Sequence, residues 1–103
     1  MASDAVNAAR FDGFDWDQGN SAKCQAHGIS LAEVESLFDG APLIGPDPFD
    51  PALEQRWRAI GRTANGRPAF VVFAVREGDG ERLIRPISAR YMHAKEARKY
   101  EQE

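Results

Sequence analysis

Residues 68–75, Pro-Ala-Phe-Val-Val-Phe-Ala-Val, are a nearly continuous apolar run bounded by turn signals: Asn65-Gly66 before it and Glu77-Gly78-Asp79-Gly80 after it. A short run that is apolar at both parities reads as a strand in the middle of a sheet, covered on both faces. Upstream, residues 55–63 (QRWRAIGRT) carry a period of 2, and Asn65-Gly66 is the favoured pair for a type I′ hairpin turn. Downstream, a third strand spans about 82–88. Pro86 cannot donate to a ladder, so it places that strand at an edge or marks a bulge. These segments together predict an antiparallel meander.

The first half of the chain has a different period. Asp17 is placed to cap a helix running to about His27, with Gly28 as its left-handed stop. Ser30 and Glu33 form an S-x-x-E capping box ahead of Leu31, Val34, Leu37 and Phe38 at helical spacing, and Asp39-Gly40 ends that helix. Pro42, Pro46, Pro48 and Pro51 make the next segment a loop with at most one short strand, around Leu43-Ile44. Phe11, Phe14 and Trp16 alternate imperfectly with Asp12, Asp15 and Asp17, as in a short extended segment, and 1–10 reads as a flexible tail. Met92 to Gln102 reads as a basic helix. The expected fold is α+β: a single domain over 11–103 with two N-terminal helices, a three- to four-stranded antiparallel meander and a C-terminal helix.

A chain of 103 residues with 43% hydrophobic content supports one modest core. Its single cysteine, Cys24, excludes an internal disulfide and fits a reducing, cytoplasmic setting. No apolar run approaches the roughly 18 residues of a membrane span, and Met1 to Arg10 lacks a signal-peptide layout. The net charge of −3 argues against indiscriminate nucleic-acid binding, but the charge is unevenly placed. Residues 1–53 hold two basic and nine acidic side chains, a net of −7; residues 54–103 hold eleven and seven, a net of +4. Such asymmetry points to an anionic partner for the basic half, or to a solvated surface whose charges segregate.

Within the basic half, strict alternation puts Arg56, Arg58, Ile60 and Arg62 on one face, with Arg58 and Arg62 about 13 Å apart at strand rise. Guanidinium forks at that interval suit neighbouring phosphates; the alternative is an ordinary charged outer face. Arg85 and Arg90 fall on opposite faces unless a bulge at Pro86 turns them toward a common site. Met92, Glu96 and Tyr100 share a helical face at i, i+4, i+8, where Glu96 either serves chemistry or pairs with an arginine. His27 is a candidate proton carrier or a helix-end residue, and Lys23 shares its face. His27, His93 and Cys24 lack ligand-like spacing, and no phosphate-loop or nucleotide motif occurs, so neither metal nor cofactor is expected. The fitting reaction is RNA cleavage by the neighbouring 2′-OH, which needs positive charge on the developing phosphorane and modest proton transfer.

Several blocks resemble a known family: Trp16 to Ser30 (WDQGNSAKCQAHGIS), Ala32 to Phe38, Ala59 to Arg62, Ile84 to Arg90 (IRPISAR), and Glu96 to Tyr100. In that order they are similar to BrnT-type toxins, ribonuclease components of bacterial type II toxin–antitoxin pairs. The resemblance implies a fold similar to RelE-type ribonucleases and metal-independent endonucleolytic cleavage of RNA. It also implies a BrnA-type antitoxin partner with a ribbon-helix-helix domain, through which alone the protein would meet DNA. Carried over by position, the catalytic candidates are His27, Arg62, Arg85, Arg90, Glu96 and Tyr100. Arg58, Lys23, Lys95 and Lys99 are candidate RNA contacts. The competing reading is a non-enzymatic module whose basic half docks an acidic protein segment.

Overall fold

A computed structural model describes residues 11–47 and 54–101. The order of elements is β1 (Gly13–Phe14), α1 (Gln18–Gln25), α2 (Leu31–Asp39), β2 (Leu43–Pro46), β3 (Trp57–Arg62), β4 (Pro68–Gly78), β5 (Glu81–Tyr91) and α3 (Ala94–Glu101). The strands form one five-stranded sheet in the order β1-β5-β4-β3-β2, so the apolar run of β4 is central, as its composition requires. The α+β class is as expected, but the sheet is larger than a three- to four-stranded meander and is mixed. Gly13 and Phe14 add a parallel edge beside Leu83 and Ile84, and Leu43–Pro46 pair antiparallel with Trp57–Ile60. A two-residue strand and a strand spelled Leu-Ile-Gly-Pro carry no usable period. The proposed tail at 1–10 and Pro48 and Pro51 lie outside the described residues.

Both helix caps form as read. The Asp17 carboxylate accepts from the Asn20 backbone N–H, and the Ser30 hydroxyl accepts from that of Glu33. Glu33 returns to the Ser30 backbone N–H, and Asn20 does the same for Asp17. Gly28 takes φ +89° and ends the turn after α1. Between α1–α2 and the sheet lies a core that includes Cys24, Ile29, Val34, Leu37, Val71, Phe73, Ile84 and Ala89. An edge-to-face series Phe14–Phe38–Phe73, with centroids 5.7 and 5.2 Å apart, runs through it.

The turn chemistry expected of the first hairpin is found in the second. Asp79 and Gly80 both have positive φ, at 52° and 78°, and close the type I′ loop between β4 and β5. Asn65-Gly66 does not make that turn. The Gly66 N–H donates to the Thr63 carbonyl and Thr63 N–H to the Arg67 carbonyl, with φ positive at Gly66 and not at Asn65. This is a three-residue connection with a left-handed glycine. The Ser36 hydroxyl suits this turn by accepting the Ala64 N–H, which an Asn-Gly two-residue loop would turn inward toward the ladder.

Candidate functional site

The site begins with a bulge. Val72 pairs with Ser88 and Phe73 with Pro86, which leaves Ile87 as an extra residue on β5. Ile84 and Ala89, five positions apart and of opposite parity, consequently both belong to the core. The parity change puts Arg85 and Arg90 on the same face of the sheet, the one turned away from α1 and α2. β3 contributes Arg58, Ile60 and Arg62 to that face, because Trp57, Ala59 and Gly61 are aligned with the core positions Phe73, Val71 and Ala69. A strict alternation would have separated the arginines.

Phe70 organises the open face. Its ring lies 5.0 Å from the Arg90 guanidinium and 5.4 Å from that of Arg58, so one aromatic face system carries two cations from the strands on either side. By sequence alone Phe70 is one more residue of an apolar strand. Its in-register neighbour Arg90 was the available signal, hidden by the bulge. Each guanidinium is also fixed by a carboxylate. Arg90 donates to both oxygens of Glu96 at 3.1 and 2.9 Å, and Arg58 donates through two nitrogens to one oxygen of Asp47 at 3.2 and 2.9 Å. The bond to Arg90 pulls Glu96 below its usual carboxylate value, so it is ionised at neutral pH. Glu96 in turn raises Arg90, and Tyr100 is close enough to add to that hold.

Tyr100 and Met92 line an apolar cleft of about 280 Å³ beside this cluster, with Ile60, Pro68, Leu43 and Ala97. Met92 precedes α3 rather than belonging to it; its N–H donates to the Pro68 carbonyl and its side chain is buried. Leu43, 55% exposed, forms an apolar lip. Arg62 is exposed at the end of β3, with its guanidinium donating to the Gly66 carbonyl at 2.8 Å. Lys95 and Lys99 project from α3 into solvent.

Arg85 shares the face but not the cluster. Its guanidinium reaches the sheet edge, where it donates to Asp17 at 2.8 Å and Asp15 at 3.4 Å. Asp17 is drawn below the usual carboxylate value chiefly by the Asn20 N–H of the cap and then by Arg85. Lys23 and His27 belong to the helical layer, exposed on α1 and in the turn after it. The structure therefore brings together Arg58, Arg90, Glu96 and Tyr100, leaves Arg62 on the same face at the hairpin end of β3, and separates them from Lys23, His27 and Arg85. Among the described residues no cluster of His, Cys, Asp or Glu could hold a metal, and no helix is long and apolar enough to cross a membrane.

Residues 16–96 match the family described as ribonuclease toxin, BrnT, of type II toxin–antitoxin system. No curated protein matches the chain. The matched span contains α1, α2, the bulge and all the arginines of the open face, and stops at Glu96, the partner of Arg90.

Proposed function

Since the chain belongs to the BrnT family, the ribonuclease toxins of type II toxin–antitoxin systems, we propose that it is a metal-independent endoribonuclease acting through the open face of its sheet. The observation that carries this reading is the pair of guanidiniums flanking Phe70, one of them locked by both oxygens of Glu96. A phosphodiester lying over Phe70 meets Arg90 and Arg58, with Arg62 at the strand end beyond. Fixed cations stabilise the extra charge of the pentacoordinate phosphorane without having to reorganise.

In the proposed reaction the 2′-oxygen attacks phosphorus, the bond to the 5′-oxygen breaks, and a 2′,3′-cyclic phosphate and a 5′-hydroxyl are left. Glu96, already ionised, accepts the 2′-OH proton, and the Tyr100 phenol returns one to the leaving oxygen. Lys95 and Lys99 extend the cationic surface along α3. Arg85 acts here through α1, as the clasp on its N-cap, and so sets where Lys23 and His27 meet the outgoing strand. The apolar cleft with its Leu43 lip, next to these charges, suits the antitoxin partner that the family implies. A ribbon-helix-helix antitoxin of the BrnA type, covering the cleft and the arginines together, would inhibit by occlusion and bind less tightly as salt rises.

One observation favours the second reading, a binding module without catalysis: Arg58, Arg85 and Arg90 already have carboxylate partners. Expression of the chain alone decides between them. Growth arrest, with RNA fragments ending in 2′,3′-cyclic phosphate and formed in excess EDTA, is the expected result, and Arg90→Ala should abolish both. Intact RNA beside a tight antitoxin complex would leave the binding module.

A further inference from the structure

On the far side of the same sheet end, the Tyr91 hydroxyl meets both carboxylate oxygens of Glu33 at 2.6 Å. Glu33 is itself fixed in the first turn of α2 by the Ser30 capping box. The ring so held carries the guanidinium of Arg67 at 3.4 Å from its centroid, a close cation–π contact. Arg67 is exposed, and among the described residues no carboxylate pairs with it. In this it differs from Arg58, Arg85 and Arg90, each of which is ion-paired. The contact restrains the guanidinium against the ring while the residue stays exposed to solvent. A planar fork already restrained in this way loses little side-chain freedom when it grips an oxyanion.

The location gives the contact its use. Arg67 faces Thr63 across the hairpin, next to the Arg62–Pro68 pair, and Tyr91 follows Arg90 directly on β5. Arg62 and Arg90 mark the open face at this end of the sheet, and Arg67 marks the helical side of the same end. The turn bearing His27 lies three residues before Ser30, at the start of the helix that anchors Tyr91. We infer that Arg67 is a phosphate contact for the RNA strand, set in place by Tyr91 and Glu33 as positioning residues, and that the strand passes over the sheet end from Arg90 toward the His27 turn. This rests on the ribonuclease reading and extends it from the reacting phosphate to a neighbouring one.

The test is binding of a 2′-O-methyl RNA oligonucleotide, which lacks the attacking hydroxyl, measured across a range of salt concentrations. Arg67→Ala should weaken binding and reduce the slope of log affinity against log salt by about 0.7, the share of one phosphate contact on a single strand. Arg67→Lys should keep the slope. Tyr91→Leu, which retains the arginine but removes its platform, should weaken binding, and Tyr91→Phe, which keeps the ring but releases it from Glu33, should weaken it less. Arg76→Ala is the control, since that residue pairs with Glu54 far along β4 and should leave the slope unchanged. An unchanged slope in Arg67→Ala, or an equal loss in Arg76→Ala, overturns the inference while the ribonuclease reading stands on cleavage of ordinary RNA. A wild-type chain that neither binds nor cleaves overturns both.

Discussion

The side-chain amide of Asn20 donates to the carbonyl of Pro86, 66 positions away in sequence, at 2.8 Å. Its second hydrogen goes to the Asp15 carbonyl at 2.9 Å, and its oxygen accepts the Asp17 N–H at 2.7 Å. One buried carboxamide thereby joins the exit of β1, the cap of α1 and the start of the bulge. Asn20→Ala should cost about 2–3 kcal/mol, the sum expected when buried carbonyls lose their donors. Asn20→Asp should cost at least as much, because a carboxylate offers no hydrogen to either carbonyl. The check is the urea midpoint at unchanged m-value. A shift worth less than about 0.5 kcal/mol would mean water replaces the amide freely.

The Tyr91–Glu33 contact sets a pH dependence with two limbs. Tyr91 holds the Glu33 carboxyl below its ordinary value of 4.5, so the stability from this group is present above that pH and lost as the pH falls through the lower folded value. The same bond raises Tyr91 above 10.0, so its contribution is present below that pH and lost as the pH climbs through the raised value. Burial pushes the Cys24 thiol up to about 11, which adds to the alkaline limb. Asp17 and Glu96 are lowered and steepen the acid limb. Tyr91→Phe should make both limbs shallower and remove neither. Melting temperature against pH reads this directly, and a variant with the wild-type profile would show that the hydroxyl does not couple to Glu33.

What the sequence made legible was local. Ser30 with Glu33, Asp17 at its cap and Gly28 at φ +89° each act through neighbours within a turn or two, and each appears where the residues put it. The apolar run of β4 required a central position and has one. The misread features depend on distant groups. Asn65-Gly66 makes a three-residue connection whose Ala64 N–H meets a hydroxyl on α2, and the extended segment at Phe14, legible as such, has a partner in β5 that no local pattern names. For the site, Arg62, Arg90, Glu96 and Tyr100 were visible as charges and a phenol at suitable spacings. Their assembly was legible only as an open alternative, since it depends on the bulge that Pro86 allowed, with Ile87 as the extra residue. Lys23 and His27 looked like their neighbours because no sequence pattern says which sheet face a helix covers. Phe70, Arg67 and Tyr91 carry no such signal, and Glu33 reads only as a helix cap, for the same reason: the rest of their meaning lies in partners on other elements.

Gly61 marks a close approach that a methyl group would spoil. A Cβ there would lie 3.2 Å from the Pro42 Cβ and 3.4 Å from its Cα, with Leu37 at 3.6 Å. The position is on the core face of β3, where the chain leaving α2 crosses toward β2. Proline and its backbone yield little, so Gly61→Ala should destabilise by about 1–2 kcal/mol through overpacking. For a domain of this size that lowers the melting temperature by about 4–8 °C per kcal/mol. Because Pro42 and Leu43 also border the apolar cleft, antitoxin affinity should fall with stability in this variant. An unchanged melting temperature would show that β2 shifts at no cost.

The Arg90–Glu96 pair permits a test that separates structure from catalysis. Both side chains are partly exposed, at 42% and 32%, so solvent screens the ion pair and it contributes little to stability. Glu96→Gln should therefore fold normally and cleave RNA about 100-fold or more slowly, the usual scale for losing a positioned proton acceptor. Arg90→Glu combined with Glu96→Arg restores a pair of opposite charges between the same positions. It also moves the cation from the face of Phe70 to α3 and puts a carboxylate where the phosphate would lie. If Arg90 stabilises the phosphorane, the exchanged protein melts near the wild-type temperature and stays inactive. If the pair is only a clamp between β5 and α3, the exchange recovers activity along with stability. Single-turnover cleavage beside thermal melting distinguishes the two, and recovered cleavage would remove Arg90 and Glu96 from the chemistry.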